Sequence, residues 1–102
     1  MPYYAILSKL TENGRKTIMK NPGRIWEVNK DVEEMGARII TQFFLLGQYD
    51  FLNIIEAPNN TVVARVAATI GARGSIEPLT MAAITIEDLV KEIQMANALT
   101  KK

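Results

Sequence analysis

The apolar positions of the chain change their spacing from one segment to the next. Two stretches rich in β-branched and aromatic residues, ARIITQFFLL (37–46) and FLNIIEA (51–57), predict two strands joined by a hairpin at residues 47–50. A shorter stretch of the same kind predicts a first strand at 3–10. The segment ARGSIEPLTMAAI (72–84) carries the fourth predicted strand.

Between these strands the apolar residues recur every three or four positions, which predicts amphipathic helices. Thr11 is a suitable N-cap for a short helix at 12–20. Asn21 and Pro22 predict the start of a second helix, which Gly36 ends. The apolar stripe of that second helix consists of Ile25, Val28, Val32 and Met35.

Two further helices are predicted in the second half of the chain. One opens at 58–60 and is closed by Gly71, with Val62, Val63, Val66, Ala67 and Ile70 on its inner face. The last begins at Thr85, which forms a start similar to a capping box with Asp88. We expect this helix to bury Ile86, Leu89, Val90 and Ile93, with Leu99 as a further candidate.

The predicted order is β-α-β-β-α-β followed by a C-terminal helix. This order predicts a ferredoxin-like α+β sandwich, with residues 1–102 forming one domain and the helices on one face of a four-stranded antiparallel sheet. Pro78 cannot donate to a ladder on both sides, so the fourth strand is expected at a sheet edge.

The strands are apolar on both faces, whereas a sheet covered on one face should alternate apolar and polar residues. Simple alternation in the second strand places Ile39, Phe43 and Leu45 on one face and Ile40, Phe44 and Leu46 on the other. Since a monomer rarely leaves such a patch wet, we expect a homodimer, or a higher even oligomer, whose sheets pack face to face as in dimeric α/β barrels. The few polar strand residues, Gln42, Asn53 and Glu56, then either satisfy neighbouring groups or line a small cleft.

Composition removes several classes of chemistry. The chain has no cysteine and no histidine, so thiolate nucleophiles, disulfides and the usual metal ligands and neutral-pH base are missing. No cofactor and no metal are expected. The net charge of +1 provides no basic stripe for nucleic acid. Without a signal peptide or an apolar run long enough to span a membrane, a cytoplasmic protein is expected.

Several stretches resemble the GYD domain family of small stand-alone bacterial and archaeal proteins. They are ILSKLTENGRK (6–16), LLGQYDFLNIIEAPNN (45–60) and GARGSIEPLTMAAI (71–84), and the name-giving Gly-x-Tyr-Asp signature is Gly47, Tyr49 and Asp50. The resemblance covers nearly the whole chain. It implies a ferredoxin-like fold and oligomerisation, and it implies no established activity.

A more distant resemblance is carried by GQYDFLNIIEAPN (47–59) with the helix, turn and strand that follow it. This segment is similar to the ligand-binding domain of feast/famine (leucine-responsive) transcription regulators. That similarity implies a small-molecule site near an oligomer interface, with Gly47, Tyr49 and Asp50 close to it. The DNA-binding helix-turn-helix of those regulators is absent, so the resemblance implies no transcriptional role.

The candidate ligand-binding residues are Gly47, Tyr49, Asp50, Asn53, Arg73 and Lys9. The hairpin residues form either a rigid turn that fixes strand register or part of a ligand site, and the two roles are compatible. Arg73 could hold a carboxylate, and Lys9 could pair with an anion.

Three functions are compatible with these patterns. The first is a homo-oligomer that binds a small metabolite at a subunit interface. The second is a cofactor-independent enzyme of the dimeric α/β-barrel type, a monooxygenase or isomerase whose base would be Asp50, Glu56 or a tyrosine. The third is a structural or interaction protein. The catalytic residues of the second are not identified by any motif.

Overall fold

The computed structural model of the chain describes residues 1–100, which form four strands and four helices. In chain order the elements are β1 (Tyr3–Leu10), α1 (Glu12–Lys20), α2 (Arg24–Glu34), β2 (Arg38–Phe44), β3 (Phe51–Glu56), α3 (Asn60–Ala72), β4 (Ile76–Ala83) and α4 (Ile86–Thr100). The order confirms the predicted α+β arrangement, and the first crossover contains two short helices.

The four strands form one antiparallel sheet with the order β2-β3-β1-β4. This is the ferredoxin-like order, so the predicted fold is confirmed. The strands that begin the two β-α-β halves of the chain, β1 and β3, pair with each other at the centre of the sheet. β4 pairs with β1 alone and therefore lies at an edge, as Pro78 predicted.

The core lies between the sheet and the helices α2 and α3. Sheet residues Tyr4, Ile6 and Ile55 are buried against Val32 of α2 and Val63 and Val66 of α3, with Ala37 and Ala57 completing the cluster. The phenol of Tyr4 donates a hydrogen bond of 2.6 Å to Asn60 Oδ1. This contact fixes the start of α3 to the sheet while the tyrosine ring remains buried.

Polar caps define where two of the helices begin. Thr11 accepts a hydrogen bond from the Gly14 N–H, and Asn59 accepts one from the Val62 N–H, each at 3.0 Å. The predicted start of α2 was wrong by two residues. The Asn21 N–H donates to the Thr17 carbonyl oxygen and so ends α1, which leaves Pro22 in the turn before α2.

The end of α3 also differs from the prediction. The helix continues through Gly71 to Ala72, and Gly74 is the residue that adopts a positive φ of 77°. The glycine nearest the apolar stripe therefore does not end the helix.

A β-bulge makes the predicted face assignment of β2 wrong. Ile39 lies opposite Ile55, and Thr41 lies opposite the next residue, Ile54, so Ile40 is the extra residue. Beyond the bulge the alternation is inverted. Ile39 consequently packs against the core, whereas Phe43 lies on the other face.

The C-terminal helix buries none of its residues, which corrects the expectation that it would. Thr85 does cap it, since the Asp88 N–H donates to Thr85 Oγ1 at 3.1 Å. The predicted inner residues Ile86, Leu89, Val90 and Ile93 are 44–73% exposed, and Leu99 is exposed as well. The helix forms as predicted, but α2 and α3 already occupy the covered face of the sheet.

Gly14 allows α1 to approach the turn before β4. A Cβ at this position would collide with the carbonyl oxygen of Ser75, which already accepts a 3.0 Å hydrogen bond from the Thr11 N–H. We therefore expect Gly14→Ala to destabilise the fold by about 1–3 kcal/mol, although alanine is the better helix former.

Gly71→Ala is the matched control, because its Cβ would make an ordinary 3.5 Å contact with Pro78 Cδ. We expect this variant to be neutral or more stable by up to about 1 kcal/mol. Urea unfolding followed by circular dichroism measures both variants. Equal effects of the two substitutions would contradict the close approach.

Candidate functional site

Asp50 links the hairpin that contains the Gly-x-Tyr-Asp signature to β1 through hydrogen bonds. The Asp50 N–H donates to the Ser8 carbonyl oxygen at 2.8 Å, and Asp50 Oδ2 accepts from the Leu10 N–H at 2.7 Å. The carboxylate thus takes the place of the next carbonyl in the β3–β1 ladder. The loop is six residues long, two more than predicted, and is closed by the Leu45 N–H donating to the Asp50 carbonyl oxygen at 2.7 Å.

The rest of the signature lies at the outer end of the same loop. Gly47 has a φ of 135°, where an L side chain is strained, and no atom lies within 4 Å of its hypothetical Cβ. The ammonium of Lys9 lies 5.3 Å from the centroid of the Tyr49 ring, a cation–π contact. The first role proposed for this signature, a turn that holds strand register, is therefore supported by specific contacts.

The six candidate ligand residues occupy two separate places. Gly47, Tyr49, Asp50 and Lys9 gather around the hairpin loop and the end of β1. Asn53 and Arg73 line a cleft between the helices and the sheet, to which none of the other four contributes. Because their side chains lie apart, the six residues do not form one site within a single chain.

This cleft, called here the helix-side cleft, has a volume of about 90 Å³. It lies between α1, α2, the end of α3 and the covered face of the sheet. Its walls are mostly apolar, with Ile25 and Val28 on one side and Phe51 and Ile70 on the other. A second cavity of about 60 Å³ adjoins it and shares several lining residues.

A chain of side-chain amides crosses the helix-side cleft. Asn29 and Gln42 exchange two hydrogen bonds of 2.9 and 3.0 Å, and Gln42 Nε2 also donates to Asn53 Oδ1 at 2.7 Å. Gln42 and Asn53 were noted in the sequence as polar residues within apolar strands. Glu56, noted with them, instead pairs with Arg38 on the other side of the sheet.

Ser8 and Asn29 are polar residues of the cleft that sequence reasoning missed. Ser8 is four positions after the buried Tyr4, so strand alternation places both side chains on the covered face. Asn29 directly follows Val28 and lies beside the apolar stripe of α2. The signal in each case was a small polar residue at a position that faces the helices or the sheet.

Two ion pairs flank the mouth of the cleft. Arg73 Nη1 lies 2.8 Å from Asp31 Oδ2 and joins the end of α3 to α2, and Arg24 Nη1 lies 2.8 Å from Glu27 Oε2 within α2. Both arginines line the cleft, and neither acidic partner does. Asp50 and Glu56, the proposed catalytic bases, are likewise not among the lining residues.

The opposite face of the sheet, called here the open sheet face, is covered by none of the helices within residues 1–100. Strand register places Tyr3, Ala5, Leu7, Phe43, Leu52, Ile54, Leu79 and Met81 on it. Phe43 is 56% exposed and Leu79 is 45% exposed. This face joins four strands into one apolar surface, and the stripe of α4 adds a second uncovered apolar surface.

The part of the chain that the structure describes contains neither a candidate metal site nor a candidate membrane-spanning helix. Residues 1–100 contain no cluster of three or more acidic side chains placed to hold a metal ion. None of the helices within that range combines the length and apolar character that crossing a membrane requires.

Comparison with known proteins shows the family. The GYD domain model matches residues 4–93, and the chain therefore belongs to the GYD domain family. A relative from Thermus thermophilus, named "Glutamine synthetase and cystathionine beta-lyase binding protein", is 41% identical over 95 residues. The match covers 92% of this chain and 100% of the relative. The resemblance to feast/famine regulators stays a prediction.

The contacts of Asp50 predict a measurable structural role. We expect Asp50→Ala to lower the free energy of unfolding by about 1.5–3 kcal/mol, because the variant leaves the Leu10 N–H without its charged acceptor. Asp50→Asn keeps an acceptor oxygen, so its free energy of unfolding should fall clearly less than that of Asp50→Ala. Urea denaturation of the three proteins gives the comparison. An unchanged free energy of unfolding for Asp50→Ala would show that the signature does not hold the strand register.

Proposed function

We propose that this GYD domain protein is a self-associating binding protein for other proteins, in which the open sheet face joins two copies. The observation that carries the proposal is the apolar surface spread over all four strands without a helix to cover it. Covering apolar area stabilises an assembly by about 25 cal/mol per Å², from which the cost of association is subtracted.

A second copy fits this face better than an unrelated partner for a reason of symmetry. A twofold interface needs a surface that is complementary to itself. The open sheet face has an apolar centre around Leu7 and Leu52, with charges of both signs near its edges. Lys9 lies directly opposite Glu77 in the β1–β4 register, and Arg38 pairs with Glu56 at 3.3 Å. A rotated second copy can therefore meet unlike charges.

The exposed stripe of α4 is the surface we assign to a different protein. Ile86, Leu89, Val90 and Ile93 follow the spacing i, i+3, i+4, i+7, by which an amphipathic helix enters an apolar groove. The matched family region extends to Ile93 and includes this stripe. The Thermus relative is named for binding glutamine synthetase and cystathionine beta-lyase, so enzymes of these two kinds are the partners we propose. A cytoplasmic location belongs to the same proposal.

Self-association is tested by placing a charge on the open sheet face. We expect Leu79→Lys to weaken it about a hundredfold or more, because an uncompensated buried charge costs about 3–5 kcal/mol. Met19→Lys is the matched control, since Met19 is 84% exposed on α1, away from that face. Sedimentation velocity over a concentration series separates the two variants.

A folded Leu79→Lys protein that sediments like the control at every concentration would contradict the assignment of the open sheet face. Circular dichroism of both variants checks that the fold is intact.

Partner binding is tested separately on α4. We expect Leu89→Lys to weaken binding to glutamine synthetase or cystathionine beta-lyase from the same organism by about tenfold or more, as loss of a central anchor does. Met95→Lys introduces the same charge on the opposite side of the same helix, where Met95 is exposed, and should bind normally. Surface plasmon resonance with each immobilised enzyme provides the affinities.

Two results would overturn the assignment of α4. One is equal affinity of the two α4 variants, and the other is the absence of binding to both enzymes by the unmodified protein. Neither result would alter the self-association test, because Leu79 and Leu89 lie on separate surfaces.

A further inference from the structure

Two adjoining spaces lie between the helices and the covered face of the sheet. The helix-side cleft of about 90 Å³ and the adjoining cavity of about 60 Å³ share Ser8, Val28 and Ile70 among their lining residues. Protein interiors normally leave few voids larger than a water molecule. Two adjoining spaces in a domain of this size therefore offer room for a small ligand.

The amide chain shows what the occupant must offer. The three hydrogen bonds of these amides run between Asn29, Gln42 and Asn53, and Asn53 Oδ1 serves as an acceptor. Within residues 1–100, no hydrogen bond is made by Asn53 Nδ2. The series of amides thus ends in a donor that is free to bind an acceptor oxygen of a ligand.

Ser8 provides a second, independent sign. This residue is 1% exposed, lines both cavities, and its hydroxyl has no hydrogen-bond partner among the described residues. Leaving a buried polar group without a hydrogen-bond partner destabilises the folded protein. An oxygen of a ligand within the cleft would accept a hydrogen bond from this hydroxyl.

The charges around the cleft favour an anionic occupant. Its lining includes Arg24 and Arg73 and contains no acidic residue. Each arginine contacts its carboxylate partner through Nη1, at 2.8 Å. A guanidinium has five N–H donors, so each arginine can bind a second carboxylate without releasing its first partner.

We propose that the helix-side cleft binds a short-chain aliphatic carboxylate. The aliphatic body lies against Ile25, Phe51 and Ile70, and oxygen atoms of the ligand accept from Ser8 and Asn53. The volume sets the size: a dry cavity of about 150 Å³ holds benzene, so about 90 Å³ suits a body of about three to five carbons. The cleft lies within one chain, and the site does not depend on the proposed self-association.

Sodium isobutyrate is the probe, with sodium chloride at equal ionic strength as the reference. The readout is a ¹H–¹⁵N correlation spectrum of the full-length protein. We expect saturable shifts of the Asn53 and Gln42 side-chain amides and of the Ser8 backbone amide. Resonances of α4 and of the hairpin loop should stay in place.

Two variants test the contacts. Ser8→Ala removes the unpartnered hydroxyl, and Asn53→Asp keeps the acceptor for Gln42 but replaces the free donor with a negative charge. We expect each variant to bind isobutyrate at least about tenfold more weakly than the unmodified protein. Ser8→Ala should nevertheless fold at least as stably as the unmodified protein. Gln48→Glu, which adds the same charge in the exposed hairpin loop, is the control and should bind normally.

Three results would overturn the proposal. The first is a set of shifts that do not saturate, which means that the cleft holds water only. The second is a set of saturable shifts confined to residues outside the cleft. The third is an unchanged affinity for isobutyrate in both Ser8→Ala and Asn53→Asp. Because the readout is local to the cleft, each of these results leaves the self-association and enzyme-binding proposals standing.

Discussion

A sheet with apolar side chains on both faces, and helices that cover only one of them, is the constraint on which this molecule depends. α2 and α3 bury Tyr4, Ile6 and Ile55 on the covered face. The C-terminal helix, α4, follows the edge strand and buries none of its residues. Folding of one chain therefore completes the core but leaves a second apolar surface, and the hydrophobic effect makes association the simplest way to remove it from water.

The Gly-x-Tyr-Asp signature, Gly47, Tyr49 and Asp50, has an explanation in the same architecture. β1 is one of the two inner strands and pairs with both β3 and the edge strand β4. Asp50 joins the hairpin loop to the end of β1 by two hydrogen bonds. A slip of one residue would exchange the two faces of β3 and place Ile55 in solvent. The signature thus protects the division into a covered and an open face, whatever else it contributes.

Much of this fold could be predicted from the sequence because each element carries its own periodicity and its own cap. The order of elements, the edge position of β4 and the caps at Thr11 and Thr85 followed from local chemistry. The bulge at Ile40 did not, because alternation along one strand contains no information about the register of its neighbour. The site was predicted only in part. Asn53 and Arg73 line the helix-side cleft, but Ser8 and Asn29 join them only through tertiary packing.

The most direct test of the central claim, that the open sheet face is covered by a second copy, is native mass spectrometry of the freshly purified protein at micromolar concentration. The account predicts a particle with twice the chain mass, or a higher even multiple of it. A particle with the mass of a single chain across the whole concentration range would contradict it, since the open sheet face would then remain in water with no partner.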